Sequence, residues 1–288
     1  MHRSPARNLQ IAFARVARAA SLGAALSLCG ICLGAGIQAC SADSDRSGGK
    51  LVVLHTRVQV DETATATFTS ASGWDVTLTL AWVSTGPLYY FDGAPPLVRR
   101  ERREAWQYAA RFLGLGEAHA HPGHYQAGNA LGQMLGAQSV DLLDGPADLP
   151  DGDGISGVYR SARFSFVPPS GRGAGALDGH VALAEGRAEK AGESPRFFRA
   201  FADMKSVEKS ATEGHIEGCE FREHDVESDG TVTVTVNPKI WFELVDFSEA
   251  EAGSAGAPAE FPEDSQPQLA FVLGTTQLSA YKFSFDAR

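Results

Sequence analysis

The chain has few cysteines and lacks an excess of basic residues, and each shortage excludes a class of protein. Only 4 of its 288 residues are cysteine. Cys29 and Cys32 lie in an N-terminal apolar segment and Cys40 directly follows it, which leaves Cys219 as the one thiol of the remaining chain. No intrachain disulfide is expected, so the fold must be stabilised by its core. Asp and Glu outnumber Lys and Arg by 35 to 25, which argues against nucleic acid as a partner.

The first 39 residues have the composition of an export signal. Four arginines lie within the first 18 residues, and the run 19–39 is apolar and rich in small side chains. Removing residues 1–39 takes away those four arginines and no acidic residue, so the net charge changes from −10 to −14. The 249 residues that remain are enough for one large domain with a full core.

The end of this segment resembles a bacterial lipobox. Residues 36–40 read GIQAC, with an aliphatic residue three places before the cysteine and a small residue directly before it; Gln38 stands where a small residue is more usual. The resemblance implies lipidation of Cys40, and the alternative is ordinary cleavage near Ala39 to give a soluble periplasmic protein. Residues 41–50 are polar and predict a flexible tether. Ser41 favours the outer membrane, with the domain facing the periplasm or the cell surface.

Short alternating runs of apolar and polar residues recur through residues 51–288. The clearest are Trp74–Tyr90 and Thr231–Val236, which alternate with the period of two that a half-buried strand requires. One convincing helix is predicted over Leu97–Leu113, and no regular alternation of strands with helices is visible. This pattern predicts an all-β fold, an antiparallel β-sandwich in a single domain with one inserted helix and a histidine-bearing loop.

Three other segments carry weaker patterns. The apolar run Leu269–Leu273 predicts a strand near the end of the chain, and Ala127–Leu135 predicts a short helix or an irregular loop. Asp144–Gly157 predicts a turn-rich hairpin loop. Its clustered carboxylates suggest calcium as an alternative, but the segment lacks the downstream Glu of an EF-hand loop.

A histidine cluster follows the predicted helix. His119, His121 and His124 lie within six residues of one another. In an extended segment His119 and His121 point to the same side, and the turn-forming Pro122-Gly123 can fold His124 back toward them. Neutral imidazoles bind copper, zinc, nickel or iron, and three of them leave room for water or a fourth ligand. The alternative is a solvated loop whose histidines have no such role.

Enzyme signatures fit the sequence less well. The spacing of the three histidines is similar to that of metallo-β-lactamase-like hydrolases, but Gly123 stands where those hydrolases carry Asp. No Gly-x-Ser-x-Gly motif is present. Cys219 and Met134 are expected to be core residues, and each is otherwise a soft ligand that would favour copper over zinc. His215 and His224 are expected to be solvated. Metal binding without catalysis is therefore the favoured hypothesis.

The order of segments resembles one family. A strand ending near Trp82-Val83-Ser84, a histidine-bearing insertion, Gly157–Phe164, Cys219 and Val236–Asp246 together resemble the MbnP-like periplasmic copper-binding proteins, over most of residues 51–247 and without a diagnostic motif. The resemblance implies an exported β-sandwich, often a lipoprotein, that binds copper through histidines and is frequently encoded beside a dihaem cytochrome peroxidase-like partner. It adds His55, on the first predicted strand, and His180, at a strand start, as candidate ligands.

The sequence thus predicts a bacterial cell-envelope lipoprotein that binds one transition metal through a histidine cluster. Copper is the expected metal and zinc the alternative. The role would be binding, storage or handover of the metal. The competing hypothesis is a lipid-tethered β-sandwich interaction module that binds a protein or glycan without metal.

Overall fold

A computed structural model describes residues 49–96 and 125–288. Within these ranges the fold is mostly β with few helices, which confirms that part of the prediction. The first eight strands are β1 (Leu51–Val60), β2 (Phe68–Thr69), β3 (Asp75–Thr85), β4 (Leu88–Phe91), β5 (Ala130–Met134), β6 (Gln138–Asp141), β7 (Ala147–Asp148) and β8 (Gly152–Ile155). The other seven are β9 (Gly157–Ser165), β10 (Ala182–Glu189), β11 (Arg196–Ala202), β12 (His215–Val226), β13 (Gly230–Val236), β14 (Ala259–Glu260) and β15 (Tyr281–Ala287).

Three α-helices accompany these strands in the described ranges. They are α1 (Met204–Ser210), α2 (Pro238–Trp241) and α3 (Gln266–Thr275). The helix predicted over Leu97–Leu113 lies outside the described residues. None of the helices described is long and apolar enough to cross a membrane.

One sheet closes on itself. Its strands follow the order β13-β15-β12-β9-β4-β5-β8-β1, and β1 then pairs with β13, so eight strands form a ring. The closing pair is parallel and runs from Leu54 opposite Gly230 to Val60 opposite Val236. The short β7 lies beside β1 at Arg57 and Val58. The closure gives β1 partners on both edges, with β13 along residues 54–60 on one edge and with β8 and then β7 on the other.

The second sheet is open and has six strands. It follows the order β14-β11-β10-β3-β2, and β6 also pairs with β3. β10 is the central strand, paired antiparallel with β11 on one side and with β3 on the other. The register on β3 shifts between Glu185 and Gly186. A Cβ at Gly186 would lie 2.4 Å from the carbonyl oxygen of Thr77, so this irregularity requires glycine.

Both sheets contribute to one hydrophobic core. Large buried rings fill it, including Tyr90, Tyr159, Phe164, Phe221 and Tyr281 from the closed sheet and Trp74, Trp241, Phe198, Phe242, Phe247 and Phe261 from the second sheet and its helices. Phe164 and Tyr281 stack with their ring centroids 4.0 Å apart. Helix α3 packs against β11 and α2, which covers one side of the second sheet. Burial of these rings removes a large apolar area from water.

The predicted antiparallel pairing is wrong for three strand pairs. β1–β13, β12–β15 and β11–β14 are parallel. Alternation of apolar and polar residues reports which face of a strand is buried, and it carries no information on strand direction. Long connections remove the two-residue hairpin that would impose antiparallel pairing.

The strand predicted at Leu269–Leu273 is wrong, because this run lies within α3. Ser265 caps the helix: its hydroxyl oxygen accepts a hydrogen bond from the Gln268 N–H at 3.4 Å. Pro267 occupies the first turn, where the missing N–H has no cost. A short apolar run fits a buried helix and a buried strand equally well, so the capping residues were the deciding signal.

The predictions for Ala127–Leu135 and Asp144–Gly157 are also wrong in part, because these segments contain β5, β7 and β8. Glycines hid the strands from the sequence pattern. A Cβ at Gly154 would lie 2.5 Å from the Tyr159 hydroxyl oxygen and 2.8 Å from Leu54 Cδ1. The Tyr159 hydroxyl lies 2.9 Å from the carbonyl oxygen of Leu131 and 3.0 Å from that of Ile155, and donates to either. Glycine in these strands therefore makes room for a buried tyrosine.

Gly154→Ala is expected to lower the free energy of unfolding by about 1–3 kcal/mol, because the added methyl group overpacks the space beside Tyr159. Urea denaturation of the full chain measures the change. Gly175→Ala is the matched control, since a Cβ there meets no atom within 4 Å. It is expected to change stability by less than about 0.5 kcal/mol. Equal effects of the two substitutions would contradict the packing at Gly154.

Candidate metal centre

The three clustered histidines, His119, His121 and His124, lie outside the described residues. The structure does describe the residues on either side of their segment. Pro96 and Tyr125 both contact Gly218 of β12: a Cβ there would lie 2.6 Å from Pro96 Cδ and 3.2 Å from Tyr125 Cε2. The two residues that flank segment 97–124 therefore meet the closed sheet at one place.

Gly218 permits this contact for two reasons. Its φ of 77° is in the left-handed region that glycine adopts without strain. It also lies where the pairing of β12 with β9 is irregular, between Glu217 and Cys219. Such a bulge redirects the strand locally and leaves room on its surface. A side chain at this position would push Pro96 and Tyr125 away from the sheet.

Tyr125 is further held by a chain of hydroxyl groups. The Ser161 hydroxyl donates to the Gly93 carbonyl oxygen at 2.6 Å, so its oxygen accepts the hydrogen bond from the Tyr125 hydroxyl at 2.7 Å. Partial burial, the main cause, and the nearby Glu217 carboxylate raise the pKa of Tyr125, and the bond to Ser161 acts in the opposite direction. Tyr125 therefore remains a neutral donor at neutral pH.

An imidazole and a carboxylate of β12 lie within three residues of Gly218, the residue that Pro96 and Tyr125 approach. The His215 Nε2 is 3.6 Å from a Glu217 carboxylate oxygen. Glu217 also pairs with the guanidinium of Arg163, which lies over the Tyr89 and Phe91 rings at 5.5 and 5.9 Å. The His215 side chain is mostly buried, so the expectation that it is solvated is wrong.

His224 is not fully solvated either. Its ring packs against Phe285 with the centroids 5.1 Å apart, and the residue is half-buried. The pairing of β12 with β9 shifts twice between His215 and His224. The simple alternation of a regular strand therefore does not predict which face each histidine lies on. The sequence showed no signal for this shift except the glycine before Cys219.

His55 lies on β1, the first strand, as the sequence predicts. Its Nδ1 is 2.7 Å from an Asp151 carboxylate oxygen. When Nδ1 carries the proton and donates to this carboxylate, the lone pair is on Nε2, which is the arrangement of many metal-binding histidines. His55 therefore remains a candidate ligand of its own.

His180 lies directly before β10, next to the second sheet. Its ring stacks on Phe201 with the centroids 4.2 Å apart. Burial lowers the pKa of His180, with Arg199 acting in the same direction and Asp178 opposing it. The neutral form, which binds metals, is thereby favoured. His55 and His180 belong to different sheets, so the structure does not unite them in one described site.

The two sulfur-containing candidates, Cys219 and Met134, are buried in the core. Cys219 is fully buried, its Sγ lies 3.5 Å from the Ile216 carbonyl oxygen, and burial raises the pKa of its thiol to about 12. Because the thiolate is the metal ligand, this thiol is poorly suited to the role. Met134 is fully buried in the core. The prediction that both residues are core residues is confirmed.

The described part of the chain contains no ready-made metal site. Across residues 49–96 and 125–288, no group of three or more His, Cys, Asp or Glu side chains could hold a metal ion. Comparison with protein-family models, curated proteins and solved structures found no match. The chemistry of the residues is therefore the basis for inferring a function.

Two shallow pockets lie on the sheet surfaces. One, of about 290 Å³, is lined by residues of β1, β5 and β8, including Leu51, Leu131 and Ile155. The other, of about 230 Å³, lies on the second sheet beside Phe197. The charged residues around the second pocket pair with one another: Arg187 with Glu189 at 2.6 Å, and Glu185 with Arg199 at 3.0 Å. The first pocket is lined by aliphatic side chains together with Gln133 and Asp153.

Proposed function

We propose that this chain is a bacterial cell-envelope lipoprotein that binds one transition-metal ion through His119, His121 and His124. Copper is the proposed metal and zinc the alternative, since both bind neutral imidazoles. The observation that supports the proposal most is the cluster itself, three imidazoles within six residues, on a segment whose flanking residues Pro96 and Tyr125 both contact Gly218. Holding the two flanking residues close together lowers the entropy cost of gathering ligands between them.

The surface of β12 near Gly218 offers side-chain donors for a fourth ligand to the metal. His215 and Glu217 lie within three residues of Gly218 on β12. The Glu217 carboxylate already accepts a hydrogen bond from Arg163. Within the described part of the chain, the imidazole of His215 makes a 3.6 Å contact with Glu217 and no shorter polar contact. We therefore assign His215 as the first candidate for a fourth ligand, with water as the alternative.

The proposed role is binding, storage or handover of the metal. A mature net charge of −14 attracts cations to the domain as a whole. Histidine must lose its proton to bind a metal, so the ion is held at neutral pH and released as the imidazoles are protonated. The proposed scaffold is a sandwich-like pair of sheets with one sheet closed, and the single core shared by both sheets supports it.

Titration of the full chain with Cu(II) and Zn(II) tests the proposal. One tightly bound equivalent is expected at neutral pH. Well below the ordinary histidine pKa of about 6.5, three competing protons are expected to raise the apparent Kd by up to about a thousandfold per pH unit. Acidification therefore weakens binding, because the protonated imidazoles carry no free lone pair.

Two results of this titration would contradict the proposal. Failure to take up either metal would favour the interaction module that binds a protein or glycan. Tight binding without pH dependence between about pH 5 and 7 would exclude histidine as the ligand type. The ratio of the copper and zinc affinities would select the metal.

A further inference from the structure

An apolar row crosses three neighbouring strands on the outer surface of the closed sheet. Leu51 of β1 is paired with Ile155 of β8. Because Gly132 of β5 pairs with Gly154 of β8, Leu131 lies opposite Ile155 on the other side. All three side chains line the pocket of about 290 Å³. Leu51, Ile155 and Leu131 form what we call the apolar row.

Leu51 is the exposed end of the row, and Ile155 and Leu131 are half-buried. Leu51 is 80% exposed, and it is the most exposed of the large hydrophobic residues in the described ranges. Val53, two residues further along β1, is 40% exposed, and Leu135, just after β5, is 62% exposed. Single exposed aliphatic residues are normal on protein surfaces. Leu51 and Val53 on β1, with the half-buried Ile155 and Leu131 on the neighbouring strands, form a larger apolar patch, which is typical of an interaction site.

The position of the row in the chain indicates what covers it. Leu51 is the first residue of β1, and ten residues separate it from Cys40. Ten residues span at most roughly 35 Å when fully extended. If Cys40 carries the lipid, the row lies at the point where the domain is attached to the membrane. The short tether then keeps the row at a high effective concentration near the bilayer.

The charges around the row suit a neutral bilayer better than an anionic one. Lys50 precedes Leu51, and the N–H of the C-terminal Arg288 donates to the Asp229 carbonyl oxygen at 3.3 Å. The Asp229 carboxylate accepts a hydrogen bond from the Val53 N–H at 2.8 Å, which ties this turn to β1. Asp153 lines the same pocket and is paired with Val53, so together with Lys50 it gives the edge of the row charges of both signs, as a zwitterionic headgroup has. The net charge of −14 opposes any attraction to anionic lipid.

We infer that the apolar row is a membrane-docking surface that rests on a zwitterionic phospholipid bilayer and orients the domain on it. This inference rests on the lipid anchor proposed for Cys40. Docking would bury apolar side chains at the membrane interface, in addition to the acyl chains that insert into the bilayer. Affinity for a membrane interface increases with the apolar area that is buried. The second sheet, which does not contain the row, would not touch the lipid in this orientation.

Site-directed fluorescence on the full mature lipoprotein tests the inference. Ala130→Cys places a thiol-reactive bimane in the same pocket as the row, and Thr79→Cys places it on the exposed face of the second sheet. The buried Cys219 thiol, whose pKa is about 12, reacts slowly in the folded protein, so the new cysteines are labelled selectively. The protein is then reconstituted into phosphatidylcholine vesicles that contain spin-labelled lipid.

Quenching by the spin-labelled lipid is expected to be at least twofold at position 130 and absent at position 79. Leu51→Ser with Leu131→Ser is expected to abolish quenching at position 130 while the protein still floats with the vesicles. Equal quenching at both positions, or quenching at neither in protein that floats with the vesicles, would overturn docking and leave the lipid anchor intact. Failure of the protein to float with the vesicles would overturn the anchor and the docking with it.

A second copy of this chain is the other occupant that the experiment detects. A spectral shift at position 130 that follows protein concentration and does not respond to spin-labelled lipid would show self-association through the row. That result would also overturn the inference of a membrane-docking surface.

Discussion

The variant His119→Ala/His121→Ala/His124→Ala is expected to bind Cu(II) at least a hundredfold more weakly than the unaltered chain. Loss of a single group that only orients a metal ligand costs about 10- to 100-fold in metal affinity. Loss of three ligands removes the bonds themselves, so the effect must be larger. Competition with a chelator of known copper affinity measures the change over this range.

His224→Ala provides the control for that variant. His224 is half-buried against Phe285 and belongs to none of the proposed ligand sets, so its replacement is expected to leave the affinity within about threefold. Undiminished binding in the triple variant would contradict the cluster as the site. His55 and His180 would then be the next residues to replace.

Phe198→Ala is expected to lower the free energy of unfolding by about 3–5 kcal/mol. Phe198 lies on β11 and is fully buried. Its ring is 5.1 Å from that of Phe242, 4.9 Å from that of Phe247 and 5.7 Å from that of Phe261. These contacts join the second sheet to the segments that follow α2, so alanine would leave a cavity at their junction. Denaturation by urea or guanidinium measures the loss.

Phe197→Ala is the matched control on the same strand. The Phe197 side chain points to the outer face, where the Arg187 guanidinium lies 5.6 Å from its ring. Its loss removes an exposed cation–π contact and is expected to cost about 0.5–1 kcal/mol. A cost for Phe197 equal to that for Phe198 would contradict the assignment of the buried face of β11.

The mostly β fold could be predicted because alternation over Thr231–Val236 and Trp74–Tyr90 reports strands with one buried face. Closure of the first sheet could not be predicted, because it depends on the pairing of β1 with β13, which are far apart in the chain. Local patterns do not encode such pairings. The strand β8 was missed because Gly152 and Gly154 interrupt the apolar alternation. Close approach of the Gln133 carbonyl oxygen explains the first glycine, and the Tyr159 hydroxyl explains the second.

The candidate ligands could be found from the sequence, because three histidines at close spacing are a signal in themselves. The structural surroundings of these ligands could not be predicted from the sequence. Gly218 gave a faint signal, a glycine within a strand-like run, which often marks a bulge or a close approach of another segment. That Pro96 and Tyr125 both approach it depends on contacts between residues far apart in the chain. His215 lies three residues before Gly218 on the same strand.

The most direct test of the metal site is a count of the imidazoles bound to copper. Electron spin-echo modulation of one equivalent of Cu(II) on the full chain reports the remote nitrogen of each coordinated imidazole. Three imidazoles are predicted, or four if His215 is also a ligand, and this signal should be lost in the triple histidine variant. A spectrum with no imidazole, or one that the triple variant leaves unchanged, would contradict metal binding by His119, His121 and His124.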